Sequence, residues 1–113
     1  MTNQRIGESI PDMLNEAAIQ QYEEDGVAVL RNVISSDWRE KLAEAIECDI
    51  EYPGPYVHAY QAEDGAGRFH GNLRIWENDP DFRAYCFESP LPEMAATIFG
   101  STHVNLHYDQ LFV

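Results

Sequence analysis

The chain has 113 residues, of which 44% are hydrophobic and 24% are charged. These proportions argue against a wholly disordered chain, and the length allows one small domain with a single core. Twenty acidic residues against seven Lys and Arg give a formal net charge of -13, which repels nucleic-acid backbones and anionic membranes, so we expect neither as a partner.

The N-terminal region carries no targeting pattern. Residues 1–10 lack a basic stretch followed by an apolar run, and no stretch approaches the ~18 apolar residues of a membrane span. Cys48 and Cys86 are the only cysteines and neither lies in a CxxC motif, so reduced thiols are expected. These features favour a cytoplasmic protein.

The first elements follow a polar leader over residues 1–14. Asn15 is suited to be the N-cap of a helix that runs to about Asp25, and Gly26 is suited to end it. The apolar, largely β-branched run at residues 27–30 then predicts a buried strand.

The second helix is the most clearly predicted one. Ser35, Ser36 and Asp37 form a cluster of capping residues ahead of an apolar stripe at near-helical spacing. The stripe consists of Trp38, Leu42, Ala45, Ile46 and either Cys48 or Asp49.

Proline and glycine break the middle of the chain into a predicted loop over residues 52–69. This loop is rich in aromatic side chains, which either plug a core or line a pocket. They are Tyr52, Tyr56, Tyr60 and Phe69, with His58 among them.

Two further helices and a strand are predicted after the loop. Asp79 and Pro80 begin one helix, and Ser89 and Pro90 begin the next, which Gly100 ends. Residues 102–113 alternate and predict a strand. One face carries Val104, Leu106, Tyr108, Gln110 and Phe112; the other carries His103, Asn105, His107, Asp109, Leu111 and Val113.

The order of elements predicts an α+β domain spanning residues 1–113. Residues 15–101 form a mainly helical cover with one short strand and a loop, and residues 102–113 form a longer strand. Two strands cannot make a stable sheet alone, and the terminal residues 111–113 are apolar in mid-strand. We therefore expect an incomplete domain.

His107 and Asp109 lie two apart on the predicted strand, so their side chains should project to one side. With a distant His they would form a 2-His-1-carboxylate iron site. However, no later strand offers the third ligand, and their face is the more polar one. We expect a solvated or helix-covered face there and no metal site.

Two other polar features leave alternatives open. Gln110 is the one plainly polar side chain on an apolar face, and a buried amide needs either backbone partners or a ligand. Arg68, His70 and Arg74 either hold an anion or face solvent.

Three segments together resemble the phytanoyl-CoA dioxygenase family. They are Tyr22–Asn32, YEEDGVAVLRN; Asp79–Leu91, DPDFRAYCFESPL; and His107–Val113, HYDQLFV. The resemblance covers nearly the whole chain from about residue 14, with the segments in the family's order and spacing.

The resemblance implies a double-stranded β-helix with helices packed outside it, a jelly-roll or cupin-like fold. It implies iron(II) and 2-oxoglutarate as cofactor and cosubstrate, and hydroxylation of a small organic substrate. In such relatives the iron-binding His-x-Asp follows HYDQLFV, so this chain would lack the ligands and be inactive alone. Tyr108, Gln110 and Phe112 would face the interior and wall the pocket.

The alternative treats the chain as a complete, small acidic interaction module. Its apolar last strand would add to the sheet edge of a partner, and its charge would select basic partners. Whether the chain is part of an enzyme is thus left open by the sequence.

Overall fold

The computed structural model of the protein describes residues 14–113. The predicted leader lies outside the described residues except for Leu14, which is buried. The helices are α1 (Glu16–Asp25), α2 (Ser36–Glu51), a 3-10 turn (Ile75–Glu77), α3 (Pro80–Glu88) and α4 (Leu91–Phe99). The strands are β1 (Val57–Gln61), β2 (Arg68–Leu73) and β3 (Gln110–Phe112). The α+β class is confirmed.

The predicted start and end of α1, start of α3 and end of α4 are confirmed, because local capping groups set them. The Asn15 side chain accepts the N–H of Ala18 at 3.0 Å at the start of α1. Asp79 caps α3 through the N–H groups of its first turn. Gly26 and Gly100 close α1 and α4 in the left-handed conformation, with φ of 76° and 64°, which a residue without Cβ adopts at little cost.

The three strands form one antiparallel sheet in the order β1-β2-β3. Tyr60 pairs with Phe69, and Gly71 pairs with Phe112. The prediction of a loop throughout residues 52–69 is therefore wrong, because β1 and the start of β2 form a hairpin there. The pattern of hydrophobic residues does not reveal β2, because its buried side chains, His70 and Asn72, are polar.

Two strand predictions are corrected. Residues 27–30 form no strand, and Val27 and Val29 are 59% and 63% exposed. The strand predicted over residues 102–113 shrinks to Gln110–Phe112. An apolar β-branched run becomes a strand only where a neighbouring strand satisfies its backbone, and within residues 14–113 neither 27–30 nor 102–109 joins the ladder.

The core lies between the helices and one face of the sheet. Ala45, Ile75 and Phe82 form its buried cluster. Leu42, Ile46 and Leu111 pack against that cluster. We call the sheet face that carries His70, Asn72 and Leu111 the inner face.

The opposite face, here called the outer face, carries Tyr60, Phe69, Leu73, Gln110 and Phe112. Its aromatic side chains remain 43% to 68% exposed. The sheet is therefore covered by helices on one side and open on the other. None of the helices in residues 14–113 is long and apolar enough to cross a membrane.

Candidate functional site

A cavity of about 450 Å³ lies at the corner where the chain leaves β2 and where the segment leading into β3 passes. Its lining comes from Leu73, Arg74, His107, Tyr108 and Gln110. Two of the three residues predicted to wall a pocket, Tyr108 and Gln110, thus line one cavity.

Phe112, the third predicted pocket-wall residue, lies farther along the outer face. Its ring packs on Phe69 with 5.7 Å between centroids, and Phe69 packs in turn on Tyr60 at 6.3 Å. Phe112 is 61% exposed. The structure therefore places Phe112 in an aromatic strip along the outer face, outside the lining of the cavity.

The outer face corrects one expectation and decides against one of two alternatives. Gln110 is exposed, so its amide is not the buried group that the alternation predicted. The aromatic residues of the middle segment do not plug the core, since Tyr52 and Tyr60 are 73% and 68% exposed. Tyr56 instead lies beneath the guanidinium of Arg74, 4.9 Å from its ring centroid.

His107 and Asp109 do not share a side. The His107 ring packs edge-on against Tyr108 at 4.9 Å and lines the cavity. The Asp109 carboxylate turns toward the helices, where its oxygens lie 3.3 and 3.2 Å from the backbone N of Trp76. Strand alternation fails at this pair because residues 102–109 lie outside the ladder.

The polar face of the predicted last strand was expected to be solvated or covered by helices. At Asp109 and Leu111 it is covered by helices. Burial raises the pKa of Asp109 above its usual range, and the N–H of Trp76 partly opposes this rise. Burial of the Cys86 thiol, followed by the nearby charge of Asp109, raises the pKa of Cys86 to about 11. Within residues 14–113 no three His, Cys, Asp or Glu side chains group closely enough to hold a metal ion.

Arg74 forms the corner of the cavity. Its backbone is left-handed, with φ of 57°, and its N–H donates to the carbonyl of Asp109 at 2.9 Å. Its guanidinium donates through Nε and Nη2 to the Glu77 carboxylate, with 3.0 Å from Nη2 to Oε1. This hydrogen bonding, followed by the charge of Glu77, raises the pKa of Arg74, so the side chain stays cationic.

The anion-holding trio of Arg68, His70 and Arg74 does not assemble. Arg68 is exposed at the start of β2, and only Arg74 lines the cavity. His70 is 3% exposed and points inward, with Nε2 2.9 Å from Oδ2 of Asp49. Of the three residues, Arg74 alone is placed to meet a ligand.

A buried polar cluster, which the sequence pattern does not predict, joins Asp49, His70 and Asn72. Nδ2 of Asn72 donates to Oδ1 and Oδ2 of Asp49 at 2.9 and 3.1 Å, beside the His70 contact. Because a carboxylate only accepts, the proton of the His70 bond sits on Nε2. The cluster fastens α2 to β2. In the sequence, the burial of Asp49 is indicated by its position on the apolar stripe of α2.

Comparisons of this chain with protein-family models, with curated proteins and with solved structures find no match.

Proposed function

We propose that this chain is the N-terminal portion of an iron(II)- and 2-oxoglutarate-dependent oxygenase of the phytanoyl-CoA dioxygenase type, acting in the cytoplasm on a small organic substrate. The observation that carries the proposal is the one-sided sheet. Helices cover its inner face, while the outer face exposes Gln110 and Phe112. In a double-stranded β-helix a second sheet faces the first at ~10 Å, and ligands bind between them.

The described residues do not fit an iron site. Asp109 is committed to the Trp76 N–H on the inner side, and His107 lies on the cavity side. The iron and 2-oxoglutarate would be held by residues outside this chain, so no chemical step is assigned to its side chains. In this proposal Tyr108, Gln110 and Phe112 wall the substrate or cosubstrate pocket, and the chain alone is inactive.

The test is the reading frame downstream of the Val113 codon in the natural transcript. We expect an in-frame His-x-Asp within a few codons and a distal His. The protein encoded by that longer frame should convert 2-oxoglutarate to succinate when iron(II) is supplied. Replacing the His of His-x-Asp by Ala is the matched control and should abolish turnover. A stop codon directly after Val113 would overturn the proposal.

A second candidate, the acidic interaction module, is favoured by one observation. Among residues 14–113 β3 pairs only with β2 and lies at the edge of the sheet, so it is positioned to add to a partner strand. Light scattering after size-exclusion chromatography separates the candidates. A module should be monodisperse at every loading concentration, whereas an oxygenase portion, whose outer face lacks the second sheet, should self-associate as the loading concentration rises.

A further inference from the structure

The lining of the cavity at the Arg74 corner contains no acidic side chain, although the chain has a net charge of -13; it consists of one Arg, one His, one Gln, one Tyr and one Leu. The carboxylate of Glu77 lies beside this lining and pairs with Arg74. We propose that this cavity binds a small organic carboxylate, with the acid group at Arg74 and its apolar body on Leu73 and Tyr108.

Arg74 is held ready for such a ligand. Glu77 accepts from Nε and Nη2 on one edge, and the Tyr56 ring lies against one face of the guanidinium. Within residues 14–113 the Nη1 group of Arg74 has no hydrogen-bond partner. A guanidinium fixed in this way loses little freedom when it binds a planar carboxylate.

The other lining groups define the rest of the ligand. Gln110 and the Tyr108 hydroxyl offer hydrogen bonds, and Leu73 offers apolar surface. The volume lies within the ~300–1,000 Å³ of small-molecule sites. A ligand with one negative charge is favoured over a phosphate, because the acidic chain repels multiply charged anions.

The role of the bound carboxylate as a substrate or cosubstrate rests on the proposed function. Binding itself needs neither iron nor residues outside this chain. It can therefore be measured on the 113-residue protein with EDTA present, so a failure here and a failure of the proposed function are distinguishable.

The experiment is a titration of the ¹⁵N-labelled chain with benzoate, followed by amide chemical shifts. Benzamide, the neutral analogue, is the ligand control. We expect saturable shifts at Leu73, Arg74, His107 and Gln110 with a millimolar Kd, and at least about tenfold weaker binding of benzamide. Equal binding of the two probes, or no saturable shift at these residues, would overturn the proposal.

Matched variants identify the group that binds the acid. Arg74→Gln should weaken benzoate at least about tenfold, while Arg68→Gln, the same charge change outside the cavity, should leave Kd unchanged. Glu77→Gln keeps an accepting oxygen beside Nε and Nη2 of Arg74 but removes the competing negative charge, so it should tighten binding a few-fold. If Arg74→Gln fails to fold, the benzoate Kd of Glu77→Gln decides whether Arg74 binds the acid group. Weaker or unchanged binding in Glu77→Gln, or equal losses in the two Arg variants, contradicts the assignment.

Discussion

The two carboxylate oxygens of Asp109 lie 3.3 and 3.2 Å from the backbone N of Trp76, while the Asp109 carbonyl accepts the N–H of Arg74 at 2.9 Å. One residue therefore ties both ends of the corner after β2 to the segment that enters β3. The cavity residues His107, Tyr108 and Gln110 flank this residue, although its own carboxylate points away from them. Asp109 is thus a positioning residue for the cavity.

Asp109→Ala should lower the free energy of unfolding by about 1 kcal/mol, because the Trp76 N–H loses its partner in a partly buried place. Asp109→Asn retains an accepting oxygen and removes the partly buried charge, so it should lose little or none of this stability. Urea unfolding at neutral pH measures both. Equal losses in the two variants would show that the carboxylate's hydrogen bond to Trp76 is unimportant for the corner.

Asp109 also predicts a pH dependence. Burial raises its pKa in the folded state, so the folded chain binds this proton more tightly than the unfolded chain. The contribution of Asp109 to the free energy of unfolding should therefore fall as the pH rises from the ordinary pKa of an aspartate to the raised pKa of the folded state. Above that pH the contribution should stay constant. Urea unfolding of the wild type and of Asp109→Asn should be measured between about pH 4 and about pH 8. The free energy of unfolding of the wild type should fall relative to that of Asp109→Asn as the pH increases. A difference that grows in the opposite sense contradicts this sign.

Asp49→Ala should destabilise the protein by about 3 kcal/mol or more, because it leaves His70 and Asn72 buried without their shared acceptor. Glu47→Ala is the matched control, since Glu47 is exposed on the same helix and should change stability by less than about 0.5 kcal/mol. Thermal or urea unfolding gives both values. Similar effects in the two variants would mean that the buried cluster does not fasten α2 to β2.

Gly71 allows the Phe69 ring to lie across β2. A Cβ at Gly71 would sit 3.0 Å from Cε1 and 3.2 Å from Cζ of that ring, so Gly71→Ala should displace Phe69 and weaken its contact with Phe112. Gly67→Ala meets nothing within 4 Å and should stabilise by about 0.4–1 kcal/mol. Ring-to-ring NOEs report the Phe69 contact. An unchanged NOE in Gly71→Ala would show that the ring accommodates the methyl group.

Cys86 should be unreactive at neutral pH, because its pKa of about 11 leaves little thiolate. Cys48 is exposed and is the internal comparison. With iodoacetamide at about pH 8, the Cys86→Ser variant, which retains Cys48, should be alkylated at least about tenfold faster than Cys48→Ser. In urea the two rates should converge. Equal rates in the folded proteins would contradict the burial of the Cys86 thiol.

The helices could be predicted because their determinants are local. Asn15, Ser35 and Asp79 hydrogen-bond to N–H groups within the next three residues, and Gly26 and Gly100 end their helices through their own backbone conformation. No distant contact is needed for any of these bonds. The candidate cavity could be predicted only in part: Tyr108 and Gln110 were expected to wall a pocket, but Arg74 and His107 join them through the corner after β2.

The sequence by itself determined the composition, the acidic charge, the α+β class and the ends of the helices, since these depend on residue types and near neighbours. Tertiary structure decided which extended segments pair, which side of residues 107–112 each side chain takes, and that Asp49 meets His70 and Asn72. Strand pairing and buried polar contacts join residues far apart in the chain, so their energy is available only when both partners are brought together. For that reason residues 27–30 look like a strand and are not one, while the polar-faced β2 becomes the centre of the sheet.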